Sequence, residues 1–190
     1  MNYKIIVEIM GKNDEISIHD TMELLESYIK YCKILSKFNK RRANFPEGIS
    51  EDLVRIILSQ IHGIECTGKT TGDIKNISTN EKYEVKCFTS TGPSSFGPKE
   101  NWNEIFFVDF TSYEKMIFSI MRIRLSNNDP LWKNIKVNSK ETYFDQCNAG
   151  KRPRIKYSDI INQLPKGIVK VMFKGKLVKF ENNVFFQEYS

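Results

Sequence analysis

Histidine is almost missing from this chain, with two in 190 residues, and no Ser/His/Asp or Cys/His grouping suggests a covalent nucleophile. The four cysteines, Cys32, Cys66, Cys87 and Cys147, stand far apart with no Cys-x-x-Cys pair. That spacing argues against a zinc site or a disulfide framework and for reduced thiols in or near a core, as in the cytoplasm. No apolar run approaches the length of a membrane span, and Met1–Glu8 lacks a secretory pattern. No repeat, low-complexity tract or linker divides the chain. The expectation is a soluble, cytoplasmic protein of one domain over residues 1–190, with no membrane partner. Its 40% apolar and 27% charged residues are ordinary for a folded domain with a full core.

The net charge is +6, but its distribution says more. Residues 151–180 carry nine basic side chains and one acid, a local +8 that leaves the remainder at −2. Such asymmetry points to a polyanion, most simply nucleic acid; a solvated basic surface is the plainer alternative.

Asp20-x-x-Glu23 reads as a capping box opening a helix, with Leu24, Leu25, Tyr28, Cys32, Leu35 and Phe38 at helical spacing over residues 21–39. Asn44–Gly48 is a turn, and Ser50 reads as the N-cap of a second helix that ends before Gly63. His62, at its end, reads as a capping or packing residue rather than a ligand. Short strands are expected at Ile5–Val7, Glu104–Phe110 (buried on both faces) and Met116–Leu125, with Arg122 and Arg124 turned outward. Short helices are expected over Glu141–Asn148 and Ser158–Leu164. Strands then follow at Ile168–Phe173, Leu177–Phe180 and Val184–Phe186, with turns at Lys174-Gly175 and Asn182-Asn183.

The most informative stretch is Thr70–Phe88. Asp73 begins one strand-like run, a polar turn around Ser78–Asn80 reverses it, and Tyr83–Phe88 returns. Alternation puts Tyr83, Val85 and Cys87 on one face and Glu84, Lys86 and Phe88 on the other. Two carboxylates at neighbouring strand ends suit a hard cation such as magnesium. A lysine beside it can hold or activate water for phosphodiester hydrolysis. A merely structural charged hairpin is the alternative, and Glu65 with Asp73 and Lys75 offers a rival register. The cleaner alternation of Tyr83–Phe88 favours the later one.

The loop after Lys86 carries Ser94, Ser95, Lys99 and Asn101 between two Gly-Pro steps and Trp102, donors of the kind that contact phosphates and bases. An ordinary surface loop would look similar. In Lys151-Arg-Pro-Arg-Ile-Lys156, Pro153 stiffens the backbone, and an extended chain points Arg152 and Arg154 the same way. Lys151, Arg152, Arg154 and Lys156 are therefore candidate DNA contacts, as base readers or as phosphate clamps.

The Asp73…Glu84-x-Lys86 pattern resembles the PD-(D/E)xK nuclease superfamily, although Thr71-Gly72 stands where a proline is frequent there. Ala43–Glu51, Gly72-Asp73, Glu84–Phe88, Gly92–Pro98, Trp102 and Gly150–Ile155 fall in an order similar to small type II restriction endonucleases that cut GCNGC. The resemblance covers about residues 43–157. It implies an α/β (α+β) fold with a restriction-endonuclease-like core, a mixed central β-sheet flanked by helices. It also implies a magnesium-dependent enzyme, with manganese as a substitute ion, that cuts double-stranded DNA, usually as a homodimer. A cognate DNA methyltransferase would be its functional partner. Carried over, Asp73 and Glu84 match the metal-binding carboxylates, with the Val85 main-chain carbonyl beside them, and Lys86 the catalytic lysine. Glu51 falls on the helix that supplies an extra acid in many relatives, and Glu47 rivals it. A junction or repair nuclease of the same superfamily, and a non-catalytic nucleic-acid-binding protein, are the competing functions.

Overall fold

Ser17 and Asp20 start the first helix by a reciprocal exchange: each side chain accepts the other's amide. The computed structural model describes residues 16–41, 43–70, 72–181 and 183–189, so the strand expected at Ile5–Val7 lies outside the described residues. Helix α1 (Ile18–Lys37) thus opens one turn before the expected Asp20–Glu23 box. It buries Leu25, Tyr28, Ile29 and Cys32. Helix α2 (Glu47–His62) begins behind Pro46, not at Ser50. Proline presets φ near the helical value, here −63°, and needs no side-chain cap to turn the chain. Ser50 instead lies buried inside the helix, its hydroxyl donating to the Glu47 carbonyl at 2.7 Å. Gly63, left-handed at φ 65°, ends α2 as expected. His62 pairs its Nε2 with the Met172 carbonyl at 2.9 Å, a packing role.

Among the described residues, seven strands follow in one mixed sheet: β1 (Cys66–Thr70), β2 (Gly72–Asn76), β3 (Lys82–Phe88), β5 (Glu104–Asp109), β6 (Ile117–Ile123), β8 (Val169–Phe180) and β9 (Asn183–Glu188), side by side in that order. Only β3 and β5 run parallel; the other pairs are antiparallel. A separate two-stranded ribbon joins β4 (Ser94–Ser95) to β7 (Arg154–Ile155). Strand β5 is buried on both faces. Phe106 and Val108 enter the core closed by α1 and α2. Ile105 and Phe107 enter a second core with Phe96, Trp102 and Trp132. That second flank is covered by α3 (Pro130–Lys133), α4 (Tyr143–Asn148) and α5 (Tyr157–Gln163). The result is a mixed central sheet with helices on both faces.

Two expectations fail for long-range reasons. Arg122 does not point outward: it is buried on β6 and forks onto Glu104 of β5, with Nη2 2.8 Å from Oε1 and Nε on Oε2. Arg124, beyond the strand, is exposed, with Nε 3.5 Å from the same carboxylate. The Lys174-Gly175 step is not a turn, because β8 runs unbroken through it. A Cβ at Gly175 would fall 2.0 Å from the Gln187 carbonyl oxygen and 2.7 Å from the Phe173 ring, so this glycine serves a close strand approach.

Candidate active site and DNA cleft

The Asp73–Lys86 hairpin folds as expected. Its turn is held by Asn76, whose Oδ1 accepts the Ser78 and Thr79 amides. Ile74 pairs with Tyr83 and Lys75 with Lys82, a register whose next pair sets Asp73 opposite Glu84. Tyr83 and Val85 are buried in the first core with Cys87 packed against it, and Phe88 packs on the second. The alternation therefore leaves Glu84 and Lys86 beside Asp73 at the floor of a cleft of about 700 Å³.

Asp73 is anchored by the Val85 amide, which donates to Oδ2 at 2.7 Å. The Lys86 ammonium contacts Glu84 Oε1 directly and lies 3.5 Å from Glu100 Oε1. Helix α2 brings two more acids from the other side. Glu47 lines the cleft, whereas Glu51, one turn further on, is half-buried and does not.

This crowding of carboxylates shifts their protonation. Burial pushes the Glu51 carboxyl up to about 7, and the charges of Asp73, Glu47 and Asp52 push the same way. Burial also raises Asp73, with the Val85 amide and Lys86 pulling back. Burial raises Glu84 too. Lys86 opposes that rise, and Asp73 and Glu100 add to it. Burial works to neutralise Lys86, but Glu84, Glu100 and Asp73 outweigh it and hold the ammonium charged.

Among the described residues, no three acid, imidazole or thiol side chains form a ready-made metal cage. The donor set nevertheless fits a divalent cation. Magnesium binds through one or two carboxylates plus waters and substrate oxygens rather than in an all-protein cage. Crowded acids with raised proton affinity are relieved when such a cation arrives.

The loop after β3 is not an ordinary surface loop. Phe96 and Trp102 are fully buried and meet Trp132 and Tyr143 at centroid separations of 5.6–6.3 Å, mostly edge-on. Ribbon pairing of Ser94 with Ile155 and Ser95 with Arg154 ties the loop to the basic segment. Pro153 and Ile155 turn inward while Arg152 and Arg154 are exposed together, as an extended strip requires.

Of the candidate DNA contacts, Ser94, Ser95, Lys99, Asn101, Arg152 and Arg154 line the cleft. Lys151 does not: it pairs with Glu141 at 2.6 Å. Lys156 stands exposed at the start of α5, also off the cleft. The basic cluster is thus split, because Lys170, Lys174, Lys176 and Lys179 lie on β8, three positions from β3 in the sheet. Neither Glu65 nor Lys75 of the rival register lines the cleft; Glu65 accepts a hydrogen bond from Ser59 at 2.8 Å.

Arg41, Lys82 and Glu100 also line the cleft. Arg41 belongs to the basic run after α1, which reads from sequence chiefly as a solvated helix end that could touch phosphates, whereas Lys82 and Glu100 carry no expected role. Glu100 carried a signal, being the only acid between Lys86 and Trp102 in a loop otherwise suited to gripping an anion.

The profile of a family described as Bsp6I restriction endonuclease matches residues 13–163. The type II restriction enzyme Bsp6I of Bacillus sp. (strain RFL6) is 28% identical over 145 residues, which span 75% of this chain and 79% of that enzyme. No solved structure matches. The matched stretch starts before α1 and ends with α5, so it contains the whole hairpin, the aromatic-anchored loop and the cleft arginines Arg41, Arg152 and Arg154. Extending over most of the chain and all of its cleft, the match makes this protein a member of the Bsp6I restriction endonuclease family.

Proposed function

We propose that the chain is a type II site-specific deoxyribonuclease that hydrolyses phosphodiester bonds of double-stranded DNA with magnesium. The observation that carries this reading is the convergence of Asp73, Glu84 and Lys86 in one cleft with Arg152 and Arg154 at its wall. Asp73 and Glu84, with the Val85 carbonyl, would hold the cation. Bound there, it would supply a Lewis acid for water activation and for the charge developing on the phosphate. Lys86, kept charged by its carboxylate neighbours, faces the scissile phosphate and stabilises the same charge. Glu51, whose carboxyl titrates near neutrality, supplies the extra acid from α2, with Glu47 at the cleft wall. Ser94, Ser95, Lys99 and Asn101 contact the DNA backbone from the anchored loop, and from the ribbon Arg152 reaches a phosphate and Arg154 a base edge. GCNGC is the proposed target. Two chains act on one duplex, one site per strand. A cognate methyltransferase would protect host DNA.

The test is digestion of unmethylated phage DNA with magnesium, followed by run-off sequencing of the ends. Discrete fragments with one shared end sequence are expected, and Glu84→Ala or Lys86→Ala should lower cutting by roughly 10²–10⁴-fold while calcium-supported DNA binding persists. Wild-type cutting by Glu84→Ala would return the site to Glu65, Asp73 and Lys75. Cleavage of branched DNA alone would mark a junction nuclease, and retention without cleavage a binding protein. Sedimentation should find two chains per duplex; one chain making concerted double-strand cuts would contradict the dimer.

A further inference from the structure

Glu100 has a built position and no role in the site as assigned above. Asn127 clamps the backbone around it: its Oδ1 accepts the Trp102 amide at 3.2 Å and its Nδ2 donates to the Glu100 carbonyl at 3.0 Å. Gly97 leaves room for the side chain. A Cβ there would lie 2.8 Å from Glu100 Oε1 and 3.0 Å from its Cγ. The carboxylate is thereby folded back toward Lys86, with Oε1 3.5 Å from Nζ. Its other oxygen, Oε2, is buried without a hydrogen-bond partner. Below the ammonium lies the Phe96 ring, its centroid 5.6 Å from Nζ. Lys86 therefore sits between two carboxylates over an aromatic floor.

Glu84 is asked to do two things at once, to hold a cation and to pair with Lys86. A carboxylate whose oxygens turn to a divalent ion gives up much of its hold on a neighbouring ammonium. A half-buried ammonium without a partner then swings toward water. We propose that Glu100 is a positioning residue that keeps Lys86 in the cleft when Glu84 is engaged by the cation. This rests on the reading of Glu84 and Lys86 given above. The loose 3.5 Å contact is a second berth for the ammonium, and Oε2 has capacity to accept a hydrogen bond there. Glu100 thus acts through Lys86, not as a ligand of the ion.

The test uses the full chain with Glu100→Gln and, in parallel, Gly97→Ala, which displaces the carboxylate but keeps its charge. Calorimetry with calcium alone reads cation affinity, and cleavage with magnesium reads kcat and KM separately. Amine labelling of Lys86 in calcium, followed by mass spectrometry, reads where the ammonium sits. For both variants calcium affinity and KM should stay within about twofold of wild type, while kcat falls about ten- to hundredfold, as expected when one reacting group is misplaced. Lys86 labelling should rise severalfold. Should Glu100→Gln fail to fold, Gly97→Ala decides alone. A tenfold loss of calcium affinity would make Glu100 a ligand and overturn the proposal. So would unchanged kcat and labelling in a background where Lys86→Ala is dead. If Lys86→Ala itself cuts like wild type, the reading of the site fails instead.

Discussion

The two flanks of the sheet are closed by different means, and each brings its own chemistry to the cleft. On one side two long helices, α1 and α2, cover a large core around Leu25, Leu53, Val54 and Ile57. Their backbone hydrogen bonds are internal, so Glu47 and Glu51 are carried on a scaffold that is regular by itself. On the other side only short helices and a nearly irregular loop are available. There the order comes from rings: Phe96, Trp102, Trp132 and Tyr143 pack edge-to-face and pin a segment whose own strand, β4, is two residues long. Glu47 and Glu51 come from the helical flank, and Asp73 and Glu84 from the β2–β3 hairpin. Arg152, Arg154, the serines and Glu100 come from the ring-packed flank. Charge placement on the second flank is thus hostage to side-chain packing in a way that α2 is not.

Removing a ring should show this most strongly. Trp102→Ala should cost about 3–5 kcal/mol in urea unfolding, and Leu53→Ala about 2–5 kcal/mol. The contrast lies in the molecules still folded: Trp102→Ala should lose DNA cleavage there as well, while Leu53→Ala keeps it. Equal loss of cleavage per folded molecule in both would erase the distinction between the flanks.

A smaller effect is expected at the ribbon. Arg154→Lys keeps the charge and loses the planar fork, so discrimination between cognate and random DNA should fall by about 1–3 kcal/mol, with random-DNA affinity and its salt slope kept. A cognate-to-random ratio unchanged across several salt concentrations would instead make Arg154 a phosphate clamp.

The helical flank has its own signature in pH. Glu51 is raised to about 7, and Asp73 and Glu84 are raised as well, so the folded metal-free chain holds protons that the unfolded chain releases near pH 4–5. The stability these groups contribute is complete below that range and lost as pH rises through about 7. The metal-free melting temperature should therefore drop between pH 5.5 and 8, at about 2–4 °C per kcal/mol for this size. Calcium should restore more of it at pH 8, where the carboxylates are free of protons. Glu51→Gln should flatten the metal-free profile; an unaltered slope would remove Glu51 from the crowd of acids.

The weakest effect belongs to the β8 lysines. Lys174→Ser and Lys179→Ser should leave stability within about 0.5 kcal/mol and the DNA-binding salt slope unchanged. Arg152→Ser should reduce that slope by about 1. A lower slope from the β8 changes would extend the DNA footprint across the sheet.

What could be read from the chain alone was whatever is local. The alternation of Tyr83–Phe88 correctly assigned sides to Glu84 and Lys86, and the two-sided burial of β5 followed from its unbroken apolar run. Gly63 ends a helix at its own position. The helix starts were misplaced for local reasons, at Ser17 and Pro46, but the other errors share one cause, a partner distant in sequence. Arg122 turned inward because Glu104 waits on the next strand. Gly175 looked like a turn residue because the Gln187 carbonyl that demands it comes a dozen positions later. Glu100 was passed over because its meaning depends on Lys86, Gly97 and Asn127 meeting around it.

The parallel pairing of β3 with β5 sets a limit on how this enzyme can be retargeted. Parallel neighbours cannot be joined by a tight turn; they need a crossover of about a dozen residues or more. Here that crossover is 89–103, the same segment that carries Ser94, Ser95, Lys99 and Glu100. Its ends are stitched to the sheet, with the Asn103 amide donating to the Lys82 carbonyl at 2.8 Å and the Phe110 amide to the Phe88 carbonyl at 2.9 Å. A loop graft meant to change the bases recognised therefore also rewrites the span that keeps β3 and β5 in register. A one-residue slip there would turn Glu84 and Lys86 to the opposite face. Point substitutions that conserve length, and not loop exchange, are the route to new specificities on this scaffold.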